Sequence, residues 1–189
     1  KGKCVDTLVD KTIEGALSHD GVEVDKITLM DKKIEYCRNC LVCRDSNLED
    51  DHVPCVISDD MDQIAPMIAK ADAFIFGTSI IAGNVTAVMK TFLDRVCWTF
   101  ARPGRFPLKG CPTPRTKRDR RNAVIIMAAG VVPPILRRFC DDATGLVNTI
   151  CKDVLNVKVI GSLYAGAVES RGLDGYLPKV FELGRKLAT

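Results

Sequence analysis

Two short, uninterrupted apolar runs restrict the fold of this chain more than any other feature. Residues 72–79 (Asp-Ala-Phe-Ile-Phe-Gly-Thr-Ser) and residues 122–129 (Asn-Ala-Val-Ile-Ile-Met-Ala-Ala) lack the polar alternation of a strand with one wet face. They are typical of strands that are buried on both faces of a parallel sheet. Two further strands are predicted at residues 22–30 and 158–165.

Helical patterns separate these strands. Apolar residues recur at helical spacing in residues 5–18, 61–70, 84–100, 135–155 and 173–187. Asp59 or Asp60 can serve as the N-cap of the second helix. Strands that alternate with helices predict an α/β fold, a doubly wound parallel sheet with helices on both faces.

The start of the chain does not follow this pattern. The 189 residues suffice for one domain, and no linker divides them. The chain begins without Met and enters a helical pattern at once, whereas doubly wound sheets usually begin with a strand. We therefore expect that residues 1–189 are one N-terminally incomplete domain that lacks its first strand. That strand would lie in the middle of the sheet, and we expect a stable fold to need it.

Totals over the chain exclude several classes of protein. No apolar stretch is long enough to span a bilayer, so no membrane association is expected. The odd number of cysteines, nine, argues against structural disulfides and favours a reducing, cytoplasmic location. The net charge of +3 does not indicate a polyanionic partner, but residues 102–121 contain eight Lys or Arg and one acid. We interpret residues 102–121 as a basic, solvent-exposed loop.

Four cysteines form the clearest candidate metal site. Cys37, Cys40 and Cys43 share the spacing C-x-x-C-x-x-C, and Cys55 follows after a longer gap. A loop with this spacing can wrap three thiolates around an iron-sulfur cluster while a fourth closes the site. Zinc is the weaker interpretation because its tetrahedral sites usually need a second paired knuckle. The longer gap leaves open that the cysteines bind no metal, although such a loop closes at little extra entropic cost.

A second candidate site lies where the strand at residues 72–79 ends. Residues 77–95 consist of a strand end, a turn that contains Gly83 and a helix with one apolar face. Cofactors bind α/β sheets at the carboxyl ends of parallel strands, next to helix N-termini. Backbone N–H groups at such a place suit the electron-rich edge of a ring.

Two stretches together identify a family resemblance. The first fits the pattern G-[ST]-P-x-Y-[FW]-G-x-V-[ST]-A-x-x-K-x-F-[IL]-D-R at Gly77, Thr78, Gly83, Val85, Thr86, Ala87, Lys90, Phe92, Leu93, Asp94 and Arg95. The second, residues 55–61 (Cys-Val-Ile-Ser-Asp-Asp-Met), fits C-x-I-x-D-D-M in full. In this order they resemble the NADPH-dependent FMN reductase family and its iron-sulfur flavoprotein branch, over most of the chain.

The resemblance implies a flavodoxin-like fold that binds FMN. By resemblance, the isoalloxazine ring contacts the loop of Thr78, Ser79, Ile80, Ile81, Ala82, Gly83 and Asn84 and the turn of Ala128, Ala129 and Gly130. The phosphate loop of the family would precede the first helix, where Lys3 could face the phosphate. Where the family has Pro, Tyr and an aromatic residue, this chain has Ser79, Ile81 and Ala82, so we expect weaker or altered flavin binding.

The leading hypothesis is an oxidoreductase in which electrons pass between FMN and a 4Fe-4S cluster held by the four cysteines at positions 37, 40, 43 and 55. The cluster carries one electron and FMN one or two, so the pair would connect a ferredoxin-like donor with a small-molecule acceptor. No catalytic side chain is expected because the reactive atoms belong to the cofactors. Proteins of this family usually build the flavin pocket at a subunit boundary, which implies a homodimer or homotetramer.

Two alternative functions would need fewer of these redox cofactors. The first is an NAD(P)H-dependent FMN or quinone reductase without a cluster, in which residues 102–121 could meet the 2′-phosphate of NADPH. The second is a non-enzymatic module that binds nucleic acid through these residues, which their single aromatic, Phe106, disfavours. We interpret His19 and His52 as surface residues. We interpret Trp98, Cys140 and Cys151 as core or interface residues.

Overall fold

The computed structural model describes residues 3–104 and 111–189. Its helices are α1 Lys3–Ala16, α2 Met61–Lys70, α3 Ala87–Phe100, α4 Arg137–Cys140, α5 Ala143–Thr149, α6 Val168–Arg171 and α7 Leu177–Leu187. Its strands are β1 Ala73–Ile81, β2 Asn84–Val85, β3 Ala101–Pro103, β4 Pro112–Pro114, β5 Arg121–Ala128 and β6 Val157–Ala165. None of the described helices has the length and apolar character that crossing a membrane requires.

The central sheet has the order β2-β1-β5-β6, and β3 pairs separately with β4. Strands β1, β5 and β6 are parallel, and the short β2 is antiparallel to β1. All residues of β5 except Asn122 are buried, as expected for a central strand covered on both faces. The strands predicted at residues 72–79, 122–129 and 158–165 are therefore confirmed.

Helices cover both faces of this sheet. Ile125 of β5 belongs to a core that also contains α2, α3 and α5, whereas its neighbour Ile126 packs with α1, α6 and α7. Side chains that alternate between the two faces of a strand produce these two cores. Helices α1 and α7 approach each other so closely that a Cβ at Gly184 would collide with the carbonyl oxygen of Thr12. The predicted architecture of a parallel sheet between helices is confirmed.

The strand predicted at residues 22–30 is wrong. This segment is irregular and ends in a 3-10 turn at Leu29–Asp31. A strand exists only where a neighbouring backbone can pair with it, and the described residues offer none here. Among the residues that the structure describes, the edge of β1 that faces away from β5 pairs only with β2, at Ile80 and Ile81. The segment is instead tied to α1 by an ion pair of 2.6 Å between Lys26 and Asp10.

The long helix predicted at residues 135–155 is broken. Helix α4 ends at Cys140, and Asp141 adopts φ −136° and ψ 81°. The Asp141 carboxylate accepts the backbone N–H of Thr144 at 2.9 Å and so caps α5, which continues into a π-helical turn at Ile150–Val154. At the break, the N–H of Asp142 donates to the carbonyl of Gly83 at 2.8 Å. A tertiary contact thus overrides the local helical pattern.

The other predicted helices differ at their ends. Helix α2 agrees in both bounds, although the Asp59 carboxylate, rather than that of Asp60, accepts the N–H of Met61. Helix α3 begins at Ala87 instead of residue 84, because residues 84–85 pair with β1. The first helix is Lys3–Ala16 rather than residues 5–18, and the last begins at Leu177 rather than residue 173.

Candidate flavin and metal sites

The segment that follows β1 folds into a tight hairpin. Its antiparallel pairs, between residues 80–81 and 84–85, leave Ala82 and Gly83 as the turn. Both turn residues have positive φ angles, 48° and 80°. Two-residue hairpin turns of this kind need two left-handed residues, a conformation that glycine adopts readily and alanine only at a cost. Ile81 is 62% exposed, so the hairpin offers backbone groups and an apolar side chain to a ligand.

Side-chain hydrogen bonds join this hairpin to α3. The hydroxyl oxygens of Thr78 and Thr86 lie 3.2 Å apart. Thr86 is the N-cap of α3, and its hydroxyl accepts the backbone N–H of Met89 at 3.3 Å. Asn84 Oδ1 accepts the N–H of Val85 at 2.8 Å. The side chains of Thr78 and Asn84 are engaged within the protein, so a ring bound here would meet mainly backbone groups and the first turn of α3.

The two segments predicted to contact a flavin ring lie side by side. Ser79 pairs with Ala128 in the register of β1 and β5, so the hairpin and the turn at Ala128, Ala129 and Gly130 share one edge of the sheet. Ala128 and Ala129 are buried, and Gly130 is half-buried. A Cβ at Gly130 would meet the carboxylate end of the exposed Glu169 side chain, which can move aside, so α6 lies close to the turn without making glycine obligatory.

Two neighbours of this edge were not predicted from the sequence. Helix α6 covers the turn, and the N–H of Glu169 donates to the carbonyl of Gly130 at 3.1 Å. The break at Asp142 contacts Gly83 on the other side. Both contacts join segments that are distant in sequence, and no local motif indicates them. Lys3, the predicted phosphate contact, is the first residue of α1, and its side chain lies outside the described residues.

The structure places the four predicted metal ligands on a single loop, which we call the cysteine loop (residues 37–55). Cys37 and Cys40 are exposed, whereas Cys43 and Cys55 are half-buried. Left-handed backbone at residues 39 and 41, with φ of 50° and 64°, turns the chain between the first three cysteines. The N–H of residue 39 donates to Sγ of Cys37 at 3.5 Å.

The thiols of the cysteine loop are close enough to affect one another. Burial raises the pKa of the Cys43 thiol, and the charges of Cys55, Cys37 and Cys40 raise it further, while the N–H of Arg44 opposes them. Thiolates that repel one another are stabilised by positive charge placed among them.

Among the described residues, the four cysteines are not gathered around a single metal position. No three His, Cys, Asp or Glu side chains of residues 3–104 and 111–189 are arranged to bind one metal ion. A zinc ion would draw its thiolates to about 2.3 Å. A 4Fe-4S cluster separates its cysteine ligands more widely, because each thiolate binds a different iron.

A buried ion pair closes the base of the cysteine loop. Arg95 of α3 donates to both carboxylate oxygens of Asp59, and each side chain is 1% exposed. The same guanidinium donates to the carbonyl oxygens of Glu35 and Ile57 at 2.8 and 3.2 Å, on the two sides of the loop. Burial lowers the pKa of Arg95, but Asp59 and the charge of Cys55 raise it on balance, so Arg95 stays charged.

A second buried arginine, Arg115, holds residues 43–49, which we call the tip of the cysteine loop. The Arg115 side chain donates to the carbonyl oxygens of Cys43 at 2.8 Å and Leu48 at 3.2 Å. Its Nε donates to the carbonyl of Ala101 at 3.1 Å. His52, interpreted above as a surface residue, is half-buried and stacks on Phe100 with ring centroids 5.5 Å apart.

The interpretation of residues 102–121 as an exposed loop is wrong for three of its arginines. Arg115 and Arg121 are 4% and 7% exposed. Arg118 donates to the carbonyl of Ala69 at 2.7 Å, and Arg121 to that of Ile68 at 2.9 Å, because the end of α2 leaves carbonyls unpaired. These guanidinium groups are engaged within the protein rather than free for phosphates. Residues 105–110, including Phe106, lie outside the described residues.

Helix α3 connects the two candidate sites. Its N-cap Thr86 contacts the hairpin after β1, and Arg95 contacts the base of the cysteine loop. With a rise of about 1.5 Å per residue, the distance along the helix from Thr86 to Arg95 is about 14 Å. Helix α3 therefore spaces the hairpin from the base of the cysteine loop by about 14 Å along its axis.

Comparison with known proteins places most of the chain in one family. The model of the family described as NADPH-dependent FMN reductase matches residues 1–131. An iron-sulfur flavoprotein of Archaeoglobus fulgidus is 30% identical over 172 residues, which cover 91% of this chain and 67% of that protein. Another, of Methanocaldococcus jannaschii, is 32% identical over 89 residues, which cover 47% of this chain and 43% of that protein.

Solved structures share the fold. A flavone reductase superposes with a TM-score of 0.68 at 19% identity, covering 97% of this chain and 57% of its own. An NAD(P)H:quinone oxidoreductase of Methanothermobacter marburgensis gives 0.66 at 19% identity, covering 98% and 89%. The fold is flavodoxin-like, and the chain spans less than two thirds of the flavone reductase. The chain belongs to the NADPH-dependent FMN reductase family of flavin-dependent oxidoreductases.

Proposed function

We propose that this protein passes electrons between FMN and an iron-sulfur cluster held by the cysteine loop, and delivers them to a small acceptor. The observation that carries the proposal is the connection made by α3. The N-cap residue of this helix, Thr86, contacts the hairpin after β1. Its ninth residue, Arg95, donates hydrogen bonds to the segments on both sides of the cysteine loop, which holds the four thiols. Two redox sites at a fixed separation suit electron transfer.

On the flavin side, the chain supplies placement rather than acid-base groups. The hairpin and the turn at Ala128 to Gly130 share an edge of the sheet, and a flat ring could lie against both. The Thr86 cap fixes the first turn of α3 against the hairpin, where its N–H groups favour electron-rich ring atoms. Lys3, at the start of α1, is the proposed phosphate contact.

On the metal side, Cys37, Cys40, Cys43 and Cys55 are the proposed ligands. When bound, the cluster exchanges one electron at a time and FMN one or two, so together they would take single electrons from a ferredoxin-like donor or a pair from NADPH and reduce an acceptor that takes two electrons and two protons. The left-handed residues between the cysteines direct the thiols, and Arg95 and Arg115 hold the loop.

Assembly is part of the proposal. Large apolar side chains stand exposed at the flavin edge of the sheet or next to it in sequence: Ile81 62%, Val131 75%, Ile135 85% and Phe139 68%. Exposed apolar surface of this kind marks interaction sites. We propose that a homodimer or homotetramer covers it. Light scattering coupled to gel filtration tests this, and a monomer at all concentrations would contradict it.

The decisive experiment is an absorption spectrum of the full-length protein purified without oxygen, with iron, sulfide and flavin assays. Flavin bands over a broad brown background, with about four irons and four sulfides per chain, are expected. Cys40→Ser should lose the iron and keep the flavin. Cys111→Ser is the matched control, because Cys111 is also exposed but lies outside the cysteine loop. Protein without iron and sulfide would contradict the proposed cluster. Protein that does not bind added FMN would contradict the proposed flavin site.

A second candidate is an NADPH-dependent FMN or quinone reductase that binds no cluster. The observation in its favour is the lack, among the described residues, of any three side chains gathered around one metal position. Steady-state oxidation of NADPH in air separates the two. Rapid turnover by iron-free protein, without any protein donor, supports this candidate.

A further inference from the structure

Arg115 is a buried cation whose guanidinium forms no ion pair within the described residues. The residue is 4% exposed, and burial lowers its pKa while the charges of Cys43 and Glu49 act in the opposite direction. Burying a guanidinium without a counter-charge is costly unless its donors are satisfied. The structure satisfies them with backbone carbonyls alone. An arginine that is buried at this cost in free energy is expected to have a specific role in the structure.

The carbonyls that accept from Arg115 belong to the tip of the cysteine loop and to the core. Nη2 donates to Cys43 at 2.8 Å, and Nη1 to Leu48 at 3.2 Å and more weakly to Ser46 at 3.5 Å. Nε donates to Ala101 of β3 at 3.1 Å. One side chain therefore ties the third cysteine and the chain after it to the sheet of β3 and β4.

Other long-range contacts of this part of the loop are weak. Within the described residues, Glu49 forms ion pairs with Arg102 at 3.1 Å and with Lys117 at 3.8 Å, and all three side chains are exposed. Exposed pairs of this kind contribute only about 0 to 1 kcal/mol. The remaining hydrogen bonds of the tip are local. Arg115 therefore supplies the partly buried long-range hydrogen bonds of this part of the loop, and the returning part is held by Val53, whose N–H donates to the carbonyl of Thr99 at 2.9 Å.

We propose that Arg115 is a positioning residue that fixes Cys43 in the cysteine loop before any metal binds. Cys43 and the residues after it are then already ordered when a ligand binds, so less chain entropy is lost on binding. The identity of the ligand rests on the function proposed above, but the ordering of the loop does not.

Hydrogen exchange on the metal-free, reduced protein tests this proposal. The N–H groups of Asp45 and Ser46 donate to carbonyls of the loop, so they report its order. In the wild type, the peptide that contains them should exchange about tenfold or more slowly than in urea. Arg115→Met should remove this protection. Arg102→Met is the matched control, because Arg102 meets the same loop only through an exposed ion pair, and it should keep the protection.

Two further measurements separate a positioning role from a general loss of folding. Flavin content and the thermal midpoint report on the core, and they should change little in Arg115→Lys, in which one ammonium can still donate to Cys43. We expect partial protection in this variant and intermediate iron content after reconstitution with iron and sulfide. If Arg115→Met does not fold, the proposal is tested by comparing loop protection and iron content between the wild type and Arg115→Lys.

The possible outcomes separate this proposal from the proposed function. A wild-type loop that exchanges at the unfolded rate without metal, or an Arg115→Met loop that stays protected, would overturn the positioning role. Equal iron content in the wild type and Arg115→Met would overturn it too, if both contain iron. A protected wild-type loop that never binds iron supports the positioning role while the metal half of the proposed function fails.

Discussion

Arg95 and Asp59 form an ion pair that almost no solvent reaches, since each side chain is 1% exposed. Asp59 also accepts the N–H of Glu35 at 2.8 Å and that of Met61 at 3.0 Å. One hydrogen-bonded group thus contains the start of α2, the middle of α3 and the segments on both sides of the cysteine loop. Stability and the geometry of the loop are coupled through it.

Asp59→Asn should destabilise the metal-free protein by about 3 to 5 kcal/mol, because it leaves a buried guanidinium without its counter-charge. Urea unfolding at pH 7 measures this free energy. The matched control is Asp94→Asn, which breaks the pair between Lys90 and Asp94, two side chains that are 49% and 46% exposed. It should cost no more than about 0.5 kcal/mol. Equal losses in the two variants would contradict the importance of burial.

The roles of the buried arginines could not be predicted from the sequence. The C-x-I-x-D-D-M match includes Asp59, and the family pattern includes Arg95, but their pairing spans 36 positions and only the fold brings them together. Arg115 stands in a basic run that is read as solvated, and its contact with Cys43 spans 72 positions. A charged residue carries no local sign of burial, so charge patterning indicates the wrong environment for it.

Local pattern predicted the parallel strands and α2 well, because burial and capping signals lie within each segment. It failed at residues 22–30, where a strand requires a partner that the described residues do not provide. It failed again at Asp141, whose carboxylate caps α5 and interrupts a sequence that otherwise has helical spacing. The candidate sites were located by motif, whereas their supporting contacts, such as that of Asp142 with Gly83, came only from the structure.

The carboxyl of Asp141 should make stability depend on pH. Burial raises its pKa, but Thr144 and Arg137 lower it on balance below the ordinary value. A carboxyl with a lower pKa in the folded state stabilises the fold above its unfolded pKa of about 3.9 and loses that contribution as pH falls through the folded pKa.

The free energy of unfolding of metal-free wild type should therefore fall as the pH drops below about 5. Asp141→Asn should flatten this dependence by up to about 1.4 kcal/mol per pH unit. Urea unfolding at each pH measures the slope. Asp20→Asn, at an exposed position beyond α1, is the control and should leave the slope as it is. An unchanged slope in Asp141→Asn would show that the carboxyl is not stabilised by folding.

Two cysteines outside the cysteine loop should resist alkylation in the native, metal-free protein. Burial raises the pKa of Cys151 to about 12, and burial with the charge of Asp94 raises that of Cys97 to about 11. Thiolate is the reactive form, so at pH 8 about one Cys97 thiol in a thousand is reactive. Iodoacetamide should label exposed Cys111 about a hundredfold faster or more, as peptide mass spectrometry can measure. In urea the three rates should converge, and equal native rates would contradict the burial of Cys151.

Ile81→Tyr should strengthen FMN binding. Ile81 is 62% exposed on the hairpin after β1, so a larger side chain fits there without repacking the core. An aromatic ring that packs against the flavin adds about 0.5 to 1.5 kcal/mol, which corresponds to a roughly two- to tenfold lower Kd. Quenching of FMN fluorescence measures it. Leu17→Tyr, at a 51% exposed position just beyond α1, adds the same ring away from the hairpin and should leave Kd unchanged. Equal Kd values for Ile81→Tyr and wild type would show that the flavin ring does not lie against this hairpin.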